Sequence, residues 1–113
     1  MRLRSDFFVS ALIRRAEING AFALLRRRGA PEAGALFIKI DRLDGRAAIL
    51  APAAQSEEAP KGVDRQFSRA HQQEWIEPTE AEERLNREID FDPDLWIVEI
   101  EDRAGRGFVD LID

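Results

Sequence analysis

Apolar residues early in the chain fall at Phe8, Val9, Leu12, Ile13 and Ala16. That is the i, i+3, i+4 spacing of a helix that buries one stripe. Ser5 is placed to cap its start. Asn19-Gly20, which tolerates left-handed backbone, is placed to stop it after Ala16 or Ile18. Phe7 lies off the stripe. The pattern then turns strand-like: "AFALLRRR" (21–28) begins apolar on both faces, so Phe22 is expected inside, and the run emerges into solvent at its arginines. "GAPEAG" follows as a loop punctuated by Pro and Gly.

The strongest local signal is "ALFIKIDRLDGRAAILA", where Asp44-Gly45 separates two runs of β-forming residues. A two-residue hairpin turn with positive φ is expected there. Such a turn pairs Ile40 with Ile49 and Ile38 with Ala51. Ile38, Ile40, Ile49 and Ala51 then share an apolar face, while Phe37, Lys39, Asp41, Ala48 and Leu50 share a mixed one. Residues 52–65, "PAAQSEEAPKGVDR", carry only Val63 as a larger apolar side chain. So little apolar surface cannot offset ordering entropy, and a mobile loop is expected at about 52–65.

A short strand at "QFSRA" leads to a second helix in "PTEAEERLNREI". Thr79 with Glu82 reads as a capping box, and the early acids suit the helix dipole. Glu80–Arg84 and Glu83–Arg87 are i, i+4 pairs, and Ala81, Leu85 and Ile89 form a narrow stripe, so the helix is expected at the surface. Finally, in "LWIVEIEDRAGRGFVDLI", Trp96, Val98 and Ile100 alternate with Ile97, Glu99 and Glu101. This is a half-buried strand, followed by a Gly-containing turn and a shorter returning strand. The whole predicts one α+β domain over residues 1–113. Its antiparallel sheet has four to five strands, with the N-terminal helix packed on one face and the second helix peripheral.

Composition narrows the functions. At 113 residues, 44% apolar and 35% charged, the chain has the balance of a small globular domain. The absence of cysteine excludes a disulfide framework and thiolate metal sites. No apolar run approaches the length of a membrane span. The N-terminus resembles a signal peptide only superficially, because Asp6 interrupts it, Arg14 and Arg15 end it early, and no small-x-small site follows. A cytoplasmic location is expected. Charge is segregated: residues 1–46 hold 10 Lys+Arg against 5 Asp+Glu, and residues 47–113 hold 7 against 17. Two halves that attract one another on folding account for this more simply than a dedicated binding face.

Three features raise the question of chemistry. In "DFDPDLWIVEIE", Asp90, Asp92, Asp94 and Glu101 match positions 1, 3, 5 and 12 of a calcium loop, but Leu95 stands where the bend requires Gly. A strand over 95–101 would also hold Glu101 about 20 Å from Asp94. The stretch therefore reads as turn chemistry that ends the second helix and launches a strand, its aspartates paired with arginines of the first half. Arg14, Arg15, Arg26, Arg27 and Arg28 form the second feature, a basic patch that could meet nucleic-acid phosphates. No aromatic is interleaved to stack bases, and the acidic pI argues against a dedicated binder. The third is the lone histidine, His71, with Glu74 nearby. It lacks a nucleophile beside it and the further histidines of a zinc site, so it reads as structural or exposed. There is no phosphate-binding Gly-rich loop. No catalytic residue, cofactor or metal is expected.

"RLRSDFFVSALIRR", "GALFIKIDRLDG", the "EW" before the second helix and "FDPDLWIVEIEDRAG" together resemble a bacterial family known as domain of unknown function 1491. The resemblance covers essentially the whole chain and is most specific from Phe91 to Gly105. It implies a cytoplasmic single domain whose long middle loop is its variable part, and it supplies no catalytic residue to carry over. The reading that follows is a non-enzymatic module that binds another protein or itself. The alternative is a nucleic-acid-associated protein using the five arginines.

Overall fold

A computed structural model describes residues 2–54 and 64–112. Its elements are α1 (Ser5–Ile18), β1 (Phe22–Arg27), β2 (Leu36–Asp41), β3 (Ala47–Ala53), β4 (Gln66–Arg69), α2 (Pro78–Phe91), β5 (Trp96–Glu101) and β6 (Asp110–Leu111). No described helix is long and apolar enough to cross a membrane. The class is α+β, as the sequence predicts. The sheet is a correction, having six strands in the order β1-β5-β2-β3-β4-β6. It is mixed, because β5 runs parallel to β2 and β6 parallel to β4. The cause is α2, which separates β4 from β5 in the chain. It carries β5 back across the sheet to insert between β1 and β2, where a hairpin could not have delivered it.

That insertion explains why β5 is more apolar than an edge strand needs to be. Trp96, Val98 and Ile100 point to the face covered by Val9, Leu12 and Ala16 of α1. Ile97 points to the opposite face, where Ala81 and Leu85 of α2 pack with Phe37 and Ile49. Val9, Leu12, Ala16, Ala81 and Leu85 of the predicted stripes are buried, and Phe8, Ile13 and Ile89 pack partly buried beside them.

The hairpin register differs by one residue from the expected one. Ile38 pairs with Leu50, Ile40 with Ala48 and Asp41 with Ala47. The loop is longer than two residues because each aspartate bonds the backbone two positions on. Asp41 Oδ1 accepts the Leu43 amide at 2.8 Å and Asp44 Oδ1 the Arg46 amide at 3.2 Å. Leu43 and Gly45 both take positive φ. The slip moves Leu50 to the α1 face beside Ile38 and Ile40, and Ile49 to the α2 face.

Both predicted caps are also corrected. Ser5 does not cap α1; its buried hydroxyl donates to Gly34 O at 2.7 Å, and Arg4 occupies the cap position. At α2, Glu77 is at the cap position, two residues before the expected Thr79, and Pro78 enters the first turn, so Thr79 caps nothing. Gly20 does stop α1, with φ of 88°. Of the mobile loop expected at about 52–65, Pro52 and Ala53 belong to β3 and Arg65 is buried; its centre, 55–63, lies outside the described residues.

Candidate functional site

The acidic junction "DFDPD" has the turn geometry read from the sequence. α2 ends at Phe91, Asp92 takes extended backbone, and Asp92 Oδ1 accepts the Asp94 amide at 3.0 Å. The expected arginine partners are not found: Asp90, Asp92 and Asp94 have no ion pair among the described residues. The first half reaches this junction through backbone instead. Ala30 N donates to Asp94 O at 2.9 Å, Arg27 Nη1 donates to Leu95 O at 2.9 Å, and Trp96 Nε1 donates to Ala30 O at 2.8 Å.

The five arginines are not assembled on one face. Arg14 is exposed on α1, and Arg15 donates to Phe108 O at 2.6 Å. Arg26 lies on the other side of the sheet, with α2. Arg28 stacks over the Trp96 ring at 5.4 Å.

Arg26 belongs to a charge network the sequence did not reveal. It donates to Glu82 at 2.7 and 3.0 Å and to Glu99 at 2.7 Å, while Lys39 Nζ reaches Glu82 at 2.8 Å and lies 3.8 Å from Glu99. Lys39, only 5% exposed, sits mid-strand, where an unpaired ammonium would be costly. A lysine inside an otherwise apolar strand was the available signal. The hydrogen bond from Arg26, reinforced by Lys39, holds the Glu82 carboxyl at about 2, well below its usual range; the same contacts raise Arg26.

The parallel β2–β5 register sets Lys39 beside Glu99 and Asp41 beside Glu101. Carboxylate oxygens of Asp41, Glu99 and Glu101 come within 4.8 Å of one another. Glu99 already serves Arg26, and Asp41 holds the hairpin loop, so these acids have structural work and carry no metal assignment.

His71 and Glu74 do not form an acid–base pair. His71 Nε2 accepts the Ile49 amide at 3.0 Å, and Nδ1 lies 2.7 Å from Gln73 O. This is the arrangement of a neutral ring protonated at Nδ1. Glu74 accepts Trp75 Nε1 at 2.8 Å instead. His71 thus ties the end of β4 to β3, a structural role.

What stands out on the surface is β1, the outermost strand at one end of the sheet. Phe22, expected inside, is 58% exposed and Leu24 is 47% exposed, whereas Ala23 and Leu25 pack against the α1 core. α2 packs on β3 and β2, leaving the same face of β1 open to solvent. Burial of Phe22 depended on a helix position that strand alternation could not report.

A family model described as "Protein of unknown function (DUF1491)" matches residues 3–110. Among solved structures, the chain is similar to a DUF1491 family protein from Caulobacter crescentus CB15, at 35% identity with 100% of each chain covered and a TM-score of 0.82. It is also similar to protein Atu0922 from A. tumefaciens, at 40% identity with 100% of this chain and 97% of that one covered, TM-score 0.82. A further DUF1491 family structure from C. crescentus, solved by NMR, is 37% identical, covers 99% of that chain and gives a TM-score of 0.81. Among curated proteins none matches this chain.

Proposed function

The chain belongs to the DUF1491 family, and from that premise we propose that it is a non-enzymatic interaction module that pairs with a second copy of itself through the free edge of β1. The observation that carries this is the exposure of Phe22 and Leu24 on an outermost strand. A free edge presents unpaired backbone N–H and C=O groups, and a second strand satisfies them while covering the apolar side chains.

The occupant is a second copy because the two ends of the edge complement one another. Phe22 is paired to Glu101 at one end of β1, and Arg28, which has no ion pair among the described residues, lies just past the other. Antiparallel pairing about a two-fold axis sets the basic end of one strand beside the Phe22–Glu101 end of its mate. Glu101 has no ion pair among the described residues, and an aromatic ring accepts a guanidinium over its face. The bulge between Leu25 and Arg27 confines regular pairing to the apolar first part of the strand. The setting of this reading is the cytoplasm.

Sedimentation velocity over a broad concentration range tests the reading. The native protein is expected to dimerise, and the double variant Phe22→Glu, Leu24→Lys to sediment as a folded monomer. A native protein that stays monomeric throughout, and that copurifies with no other protein, removes the support for this function.

A further inference from the structure

A cavity of about 380 Å³ lies where the N-terminal arm crosses the ends of β2, β3 and β4, lined by Arg2, Leu36, Pro52, Ala53, Arg65 and Gln66 among others. It shares no lining residue with the charge network or with the β1 edge. Its distinctive group is Arg65, which is only 6% exposed.

Part of the Arg65 guanidinium is committed to the fold. Nη2 donates to Leu3 O at 2.8 Å and to Ser5 Oγ at 3.1 Å, and the group stacks over Phe8 at 5.1 Å. Its carboxylate contact is weak, with Nε 3.4 Å from Asp64 Oδ2, while Asp64 Oδ1 accepts the Leu3 amide at 2.9 Å. Nη1 has no acceptor among the described residues. Arg2 adds a second positive charge. Burial, and next the nearby Arg2, lower the pKa of Arg65, so the charged form is held there at a cost.

We infer that this cavity is a binding site for a small oxyanion, a carboxylate or a phosphate group, received between Arg65 and Arg2. A guanidinium Nη1 with hydrogens to donate suits such an oxyanion, and in a half-enclosed site a charge-assisted hydrogen bond is stronger than at an open surface. One anion would relieve the repulsion between the two arginines and supply the acceptor that Arg65 Nη1 lacks.

The test is a titration of the full chain with inorganic phosphate and, separately, with acetate. Chloride is exchanged to keep ionic strength constant, and amide and arginine Nε resonances are followed by NMR. Saturable shifts confined to Ala53, Arg65, Gln66 and Phe67 are expected with at least one anion, and whichever saturates identifies the preferred group. In Arg2→Gln the apparent affinity should fall at least tenfold, while the rest of the spectrum, and hence the fold, is unchanged. This variant is preferred because Arg65 also anchors Leu3 and Ser5, and its removal could unfold the arm. Shifts that never saturate, that spread over the whole protein, or that persist with equal affinity in Arg2→Gln overturn the proposal.

Discussion

Lys39 Nζ lies 2.8 Å from Glu82 Oε2, joining the middle of β2 to the first turns of α2. The same carboxylate receives Arg26 from β1, so one side chain of the helix bridges to two strands that do not touch each other. Glu82 was expected to cap its own helix. Because α2 begins at Pro78, Glu82 lies beyond the position from which a side chain reaches back to the cap, and it meets the buried ammonium of Lys39 instead.

Glu82→Gln is therefore expected to destabilise the protein by about 1–2 kcal/mol. The value is below that for breaking a fully buried pair because the Glu82 side chain is 38% exposed and solvent screens part of the loss. Lys39→Met is expected to cost less than about 1 kcal/mol, since an apolar side chain suits the site and Glu82 keeps Arg26. Urea denaturation of both variants checks the ordering; an equal or larger loss in Lys39→Met contradicts it.

Stability should depend on pH through the same carboxylate. Its pKa is depressed in the folded state, from an ordinary value of 4.5 to about 2. Its contribution is thus fully present above pH 4.5 and is lost as pH falls from 4.5 towards 2. Asp102, held low first by its hydrogen bond from Arg106, acts in the same direction. Denaturation midpoints should be level through neutral pH and fall below pH 4.5, with a shallower fall in Glu82→Gln.

Two glycines should respond differently to alanine. A Cβ at Gly29 would collide with the backbone carbonyl of Asp94, which neither partner can move aside without breaking the Ala30–Asp94 hydrogen bond. Gly29→Ala should cost more than about 2 kcal/mol. At Gly45 the surrounding space is open and only the φ of 83° is unfavourable, so Gly45→Ala should cost about 1 kcal/mol. Thermal melts in parallel compare them.

His71→Ala removes the acceptor of the Ile49 amide. The expected loss is about 1–2 kcal/mol, with the proposed dimer unaffected because β1 lies towards the other end of the sheet. Amide exchange at Ile49 should accelerate in the variant. Unchanged protection there would show that His71 does not hold the strand.

Much of the fold was legible in short-range pattern. The Val9–Leu12–Ala16 stripe, the stop at Gly20, the Ala81–Leu85 stripe and the turn chemistry of Asp92-Pro93-Asp94 depend on backbone preference and on which neighbours are apolar. Residues within four positions decide these. The family resemblance could be read from the same stretches.

Only the tertiary structure decided where β5 goes, and most of the rest follows from that. Inserted between β1 and β2, it creates the parallel pairing, brings Glu99 beside Lys39, and leaves β1 as the edge on which Phe22 is exposed. Strand neighbours are chosen by packing over the whole sheet, and alternation along one strand carries no information about them. In β2 and β3 both faces are apolar because both are covered, so the pattern could not distinguish two registers one residue apart; the aspartate-bonded loop did. Arg65 and Arg2 were likewise two ordinary cations in the chain, and became a pair only when the N-terminal arm crossed the sheet.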